Sequence, residues 1–418
     1  MLSHDGLTEP ENSRPFWALS INSRMRFLVV IAGLLILILT ELLHVYFIMP
    51  FPGSQHLESI DFAYLTGKYI LAARLIILLL IAIPLYVILS RGTKASRIIT
   101  GILLLTYGMV FYLFNFRFMA DTMFYQPELV RFSNIKENRI PSEKLVLGIE
   151  INGEAKAYPL QIIGYHHQVR DTVGGTPLMV TYCTVCRTGR VFSPFINGKN
   201  ETFRLVGMDH FNAMFEDATT KSWWRQVSGE AIAGPLKGQA LQEIRSRQMR
   251  LSSWFEMYPE GKVLQPDSAF RKEYDDLDKY DLGTLKSSLE KRDSLSWKDK
   301  SWIVGIRKGT HAKAIDWNRL VKERIIQDSM PNYGFVVVLE KDLASFHSFE
   351  TTLGEKYLRF VKKDNNGELL MMDENTGSVW NLRGTCISGA LKGSKLIQAT
   401  AYQEFWHSWK TFNPLTLK

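Results

Sequence analysis

Two cysteines three residues apart, Cys183 and Cys186, lie in the string Thr181-Tyr-Cys-Thr-Val-Cys-Arg-Thr-Gly189. A strand-like run, PLMVTY, leads into the first thiol, and Gly189 can take a positive φ just past the second. RTGRVFSPF then has the pattern of a second strand, so the spacing predicts two thiols converging across a turn, as in a metal-binding knuckle. The thioredoxin-like alternative places such a pair at a helix N-terminus, where thiol pKa falls. Three chemistries stay open for the pair: a metal or cofactor site, thiol redox, or an inert disulfide or reduced core pair.

A metal held by two thiolates needs further ligands, unless it is Cu(I), which soft sulfur binds at low coordination. The nearby imidazoles are His166 and His167 in GYHHQVRD and His210 in GMDHFNAMFED, the last flanked by Met208 and Met214. Strand alternation would send only one of the adjacent histidines to a given face. Thiolate plus imidazole suits copper or zinc, and the methionines tilt the choice towards copper. Arg187 beside the cysteines would favour a thiolate or hold an anion, against a plain surface ion pair. Trp224, in KSWWRQ, would line a ligand pocket or fill the core. Cys386 is read as a small buried residue. No Gly-rich phosphate loop, HExxH or G-x-S-x-G is present.

These residues sit in one of two similar stretches. LGIEINGEAKAY (Leu147–Tyr158) resembles VGIRKGTHAKAI (Val304–Ile315), DATTKSWW resembles DENTGSVW, and GEAIAGPLKG resembles GTCISGALKG. The offset holds at 155–157 residues, which predicts two tandem repeats of one β-dominated domain. The first runs over 121–267 and the second over 301–418, with a charged, solvated linker at 268–300. Helices are expected at Asn318 to Ile326 and at Leu343 to Phe349. Adding 157 to Cys183, Cys186, His166 and His167 gives Glu340, Leu343, Glu323 and Arg324. The scaffold recurs while the Cys/His set does not, which is the pattern of a site and not of packing.

Three apolar runs precede the repeats, at about 27–49, 69–89 and 98–116, each about 20 residues long, enough to span a bilayer. Arg14, Arg24 and Arg26 precede the first, and Arg91, Lys94 and Arg97 fill the second loop. The positive-inside rule places residues 1–26 in the cytoplasm and everything after Arg117 outside it, on the cytoplasmic membrane. Glu41, His44 and Arg74 lie within the spans; Arg74 could pair with Glu41 to lock the bundle. The fold expected is an N-terminal three-helix transmembrane bundle followed by a β-rich (α+β) extracytoplasmic region of two tandem repeats. The net charge of +8 on 418 residues forms no basic stripe, which excludes nucleic acid as the main partner.

The strings GEAKAYP, YHHQV, VTYC-x-x-C-x-TG and TKSWWRQ-GEAI-G-LKG together resemble the family called domain of unknown function 3179. The resemblance covers the first repeat well, from about Val146 to Leu264, and the second only as an echo. It implies a site at Cys183, Cys186 and His166 but no reaction. The expectation is a membrane-anchored metal- or cofactor-binding protein, an assembly or delivery factor or accessory subunit, with the lipid bilayer and a membrane protein as partners. Two alternatives are a membrane-tethered thiol–disulfide oxidoreductase and a non-catalytic interaction subunit.

Overall fold

The three apolar runs at about 27–49, 69–89 and 98–116 can satisfy their backbone within a bilayer as helix. The computed structural model describes residues 22–365 and 367–418; Arg14 and the rest of positions 1–21 lie outside the described residues. Three helices are long and apolar enough to cross a membrane: α1 (Ser23–Tyr46), α2 (Ile60–Arg91) and α3 (Lys94–Tyr112). A π-helical turn, Leu113–Arg117, continues α3. Residues up to Tyr46 together with Asp61–Phe118 form one unit, and Phe47–Ile60 joins Met119–Lys418 in the other.

Inside the helical unit the charged residues pair. Arg74 of α2 donates from Nε and Nη2 to the two Glu41 carboxylate oxygens, at 2.7 and 2.6 Å. Its Nη2 also reaches Asn115 Oδ1 at 2.6 Å, and Asn115 Nδ2 donates back to Glu41. Asn115 lies in the π-helical turn, an irregularity that often accompanies a polar contact within an α-helix. A bidentate guanidinium–carboxylate pair is the arrangement that makes two such charges tolerable in a membrane.

In the second unit β-branched and aromatic runs separated by Gly and Asn turns give several sheets, antiparallel among the described residues but for one strand pair. A five-stranded sheet is centred on Leu145–Ile151 and Glu154–Pro159, with Lys262–Leu264 parallel to the latter. A three-stranded sheet holds Gln168–Val173, Thr176–Cys183 and Thr188–Phe192, and a four-stranded sheet runs from Phe203 to Ala233. Towards the C-terminus come a three-stranded sheet around Trp302–Lys308, another around Tyr333–Leu339, and a four-stranded sheet from Phe360 to Ser388.

Local details recur between the two halves. A Cβ on Gly148 would lie 2.2 Å from the Trp254 ring, and one on Gly305 would lie 2.3 Å from the Trp409 ring. Asp217 accepts from Thr220 and Trp224, while Asp373 accepts from Thr376. A Cβ on Gly234 or on Gly389, at φ +95° and +96°, would lie 2.6 Å from the Cα of the serine of those motifs, Ser222 or Ser378. Lys156–Asp171 and Lys313–Asp328 ion pairs occupy matching places.

Two sequence expectations change. A helix does form at Trp317–Glu323, but Leu343 to Phe349 is not helical: Phe346–Glu350 is a strand paired with Tyr333–Leu339. Both faces of that strand are covered for most of its length, which removes the alternation that marks a half-buried strand. The 268–300 segment is not a wholly solvated connector. Phe270, Tyr274 and Tyr280 are buried in the core of the first half, the aromatic residues outweighing their charged neighbours.

Candidate functional site

The Cys-x-x-Cys turn closes a hairpin. Thr176–Cys183 pairs with Thr188–Phe192, and Cys183 lies opposite Thr188, so the four residues 184–187 make the loop. Arg187, at φ +54°, takes the left-handed position that ends it. Both sulfurs are fully buried, within a cluster that includes Phe192, Phe215 and Trp224. Each thiol donates to the same acceptor, the Phe211 carbonyl, at 3.5 Å from Cys183 and 3.2 Å from Cys186.

That carbonyl is delivered by a strained turn. Asp209-His210-Phe211-Asn212 joins two paired strands, with His210 at φ +50° and Phe211 at φ +66°. Such turns normally use Asn or Gly, and left-handed backbone costs other residues on the order of 1–2 kcal/mol each. The loop after α1 holds this turn from outside. Phe211 N–H donates to Gln55 Oε1 at 3.0 Å, Met208 N–H donates to the Ile48 carbonyl at 2.7 Å, and the His56 ring meets the Phe211 ring edge-on. A Cβ on Gly207 would lie 2.2 Å from the Ile48 oxygen, so only glycine lets this loop in.

The second half and the 268–300 segment hold the other side of the turn. The carbonyls of Thr184, Val185 and Cys186 accept from Tyr280 Oη, Lys300 Nζ and the Phe405 N–H, at 3.0, 2.8 and 2.9 Å. Beside Phe405, the helix Trp406–Phe412 begins and presents His407 to Cys186. His407 Nδ1 is 3.1 Å from the Asp299 carbonyl, which fixes Nδ1 as the protonated nitrogen. Its Nε2 is buried next to the thiol and makes no hydrogen bond of normal geometry.

The two thiols differ in acidity. At Cys183 burial opposes ionisation, but the Cys186 thiol, the N–H groups of Ala213 and Cys186, and the Lys300 charge outweigh it, and the pKa falls. At Cys186 burial and the neighbouring Cys183 sulfur push the pKa well up, with His407 acting against them. Burial lowers the Lys300 ammonium to about 8, against the opposing pull of the Cys186 and Cys183 sulfurs. Of the two thiols, Cys183 is therefore the more readily ionised and Cys186 the one that holds its proton longer.

The other residues singled out in the sequence go elsewhere. His166 has both ring nitrogens occupied, by the Tyr125 carbonyl and by Tyr274 Oη at 2.6 Å. His167 Nδ1 lies 2.9 Å from the Tyr182 carbonyl, and burial lowers its pKa to about 4. His210 contacts Asp209 through Nδ1 at 2.6 Å and has Glu58 at 3.5 Å from Nε2. Arg187 is no ligand to the thiols: its guanidinium stacks 3.8 Å from the Trp302 ring and donates to Gln403 and to the Tyr280 carbonyl. Trp224 is a core residue, its indole N–H bonded to Asp217. Among the described residues no three His, Cys, Asp or Glu side chains stand close enough to hold a metal ion as they are.

A family model described as "Protein of unknown function (DUF3179)" matches residues 124–416. The chain belongs to this family. The match extends through the 268–300 segment and the second half, further than the Val146–Leu264 stretch that carries the motifs, so the DUF3179 unit includes both His407 and Lys300. No curated protein and no solved structure matches the chain.

His407 and Lys300 were not candidates on sequence grounds, because neither lies near the cysteines along the chain. A signal for His407 does exist: at the 155-residue offset its counterpart is Ser252, so it departs from the similarity between the two stretches as the cysteines do. For Lys300 there is an expected result. Lys300→Met removes the cation beside Cys183, so the thiolate absorbance of the reduced protein should titrate at higher pH than in the parent. An unmoved midpoint would mean that Lys300 does not act on the thiol.

Proposed function

We propose that this chain is a membrane-anchored metal-binding protein whose β-rich part holds one Cu(I) or Zn(II) ion on Cys183, Cys186 and His407. The observation that carries the reading is the His407 Nε2: a buried ring nitrogen without a normal hydrogen bond, facing the Cys186 thiol of the pair. Its other nitrogen is tied to a backbone carbonyl, the arrangement by which metal-ligating histidines are oriented. Thiolate and imidazole suit copper or zinc, and Met49 and Met208 packing against the same cluster favour the softer ion. Binding requires the thiols to lose their protons and the imidazole to draw towards them, so metal uptake releases protons.

The charge pattern of Arg24, Arg26, Arg91, Lys94 and Arg97 supports a cytoplasmic N-terminus, with the loop Phe47–Ile60 and the β-rich part outside the cytoplasm. The recurring glycine–tryptophan and Asp–Thr motifs support two tandem copies of one domain, in which the second supplies a ligand to the first. A sealed site on a membrane tether suits an assembly or delivery factor, or an accessory subunit, beside a membrane enzyme.

Metal analysis of the reduced full chain tests this. The parent should carry close to one equivalent of copper or zinc after loading and desalting, and Cys183→Ser/Cys186→Ser none. Equal content in both sinks the proposal. The unequal acidity of the two thiols favours a second reading, a thiol–disulfide oxidoreductase with Cys183 as nucleophile and Cys186 as resolving thiol. Alkylation trapping across redox buffers decides for it if a metal-free protein shows a reversible dithiol–disulfide couple.

A further inference from the structure

We infer that the β-rich unit holds a second ligand site: a cavity that takes a small oxyanion, a carboxylate or a phosphate, on Arg225, Arg307 and His210. The cavity measures about 250 Å³ and is lined from both halves of the β-rich unit. It is smaller than the roughly 300–1,000 Å³ that drug-sized ligands occupy, so its occupant is small.

The donors that face it are not all spent. Arg225 uses Nε and Nη2 on Asp209, at 2.7 and 2.6 Å, while its Nη1 has no carboxylate nearer than Glu230 at 3.8 Å. Arg307 has Glu243 at 4.0 Å, beyond hydrogen-bond range. His210 has Nδ1 on Asp209, and its Nε2 faces Glu58 at 3.5 Å. Arg190 also lines the cavity, but its guanidinium is committed to Glu404 and to the Val227 and Gly189 carbonyls. The lining carboxylates sit at the mouth: Glu58 is 94% and Glu230 48% exposed, free to swing into water. Asp209 holds Arg225 and Glu404 holds Arg190, while Glu243 accepts from the Tyr402 hydroxyl. Two guanidinium groups and an imidazole converging on one small space are the donor set that recognises carboxylate and phosphate oxygens.

The same two elements build this cavity and the thiol site. On the 209–212 turn His210 meets the Phe412 ring and the next residue, Phe211, meets His407. Arg225 stacks on Phe412 from the cavity side, at 5.0 Å.

The test is calorimetric titration of the full chain in detergent with inorganic phosphate and with citrate, against sodium chloride at matched ionic strength. Saturable binding of one or both probes is expected, and which of them binds assigns phosphate or carboxylate. Arg307→Gln, a partly exposed side chain whose loss the fold should tolerate, should weaken binding by roughly tenfold or more, as expected for a charge-assisted hydrogen bond. His210→Asn should weaken it in the same direction. Cys183→Ser/Cys186→Ser should bind as the parent does, so this site stands or falls apart from the metal proposal. No saturable binding of either probe, or equal affinity in the parent and Arg307→Gln, would overturn it.

Discussion

Arg190→Met destabilises the β-rich unit by about 3–5 kcal/mol, the range found when one partner of a buried ion pair is removed. Arg190 and Glu404 are 2% and 0% exposed and stand 3.3 Å apart, one on the hairpin that carries the thiols and the other on a strand of the second half. The guanidinium also stacks on the Tyr402 ring and donates to the Val227 carbonyl. Without it, the Glu404 carboxylate keeps only the Ser408 hydroxyl at 2.9 Å and is left charged in a dry interior.

The pH dependence of that loss has a definite sign. Burial already raises the Glu404 pKa, with Arg190 acting against the rise. Removing Arg190 raises it further above the unfolded value. A carboxyl of that kind contributes its stability below the unfolded pKa and loses it as pH climbs through the folded pKa. The variant should therefore be closest to the parent in acid and furthest from it at neutral pH. Urea unfolding followed by tryptophan fluorescence at several pH values measures both. Adding Glu404→Gln to Arg190→Met should recover part of the stability at neutral pH, since the stranded charge is gone. A loss that does not vary with pH would mean that Glu404 is not the group left behind.

His407→Ala should abolish tight metal retention while leaving both thiols in place. Losing a direct ligand costs more than the roughly 10–100-fold in affinity typical of an outer-sphere change. Competition with a chelator of known affinity reads the difference. The fold should hold, because the His407 ring donates one hydrogen bond, to the Asp299 carbonyl, and its truncation leaves the helix Trp406–Phe412 anchored by Trp409 against Gly305. Retention equal to the parent would remove the imidazole from the site.

Much of the frame was legible in the residues. Three apolar runs of membrane length became three long helices, and the PLMVTY–turn–RTGRVF pattern became the hairpin that carries Cys183 and Cys186. Local pattern carries that information, since period and turn chemistry act within a few residues. The imidazole at the thiols was not legible in the same way. His166 is near Cys183 along the chain, yet the helix Leu160–His166 turns its ring onto Tyr125 and Tyr274. His407 is over two hundred residues away and arrives because the Phe405 N–H bonds to the Cys186 carbonyl. Contacts of that length depend on how sheets pack, and the spacing of one stretch cannot express it. Equally hidden was the loop after α1, where Gln55 and Ile48 hold the Phe211 turn against the sulfurs.

X-ray absorption at the metal edge of the loaded full chain tests the shared site most directly. The predicted spectrum has two sulfur neighbours at about 2.3 Å and one imidazole, the imidazole vanishing in His407→Ala and the sulfurs in the double serine variant. A shell of oxygen and nitrogen alone, or one unchanged by these substitutions, would contradict a metal centre built from both halves of the chain.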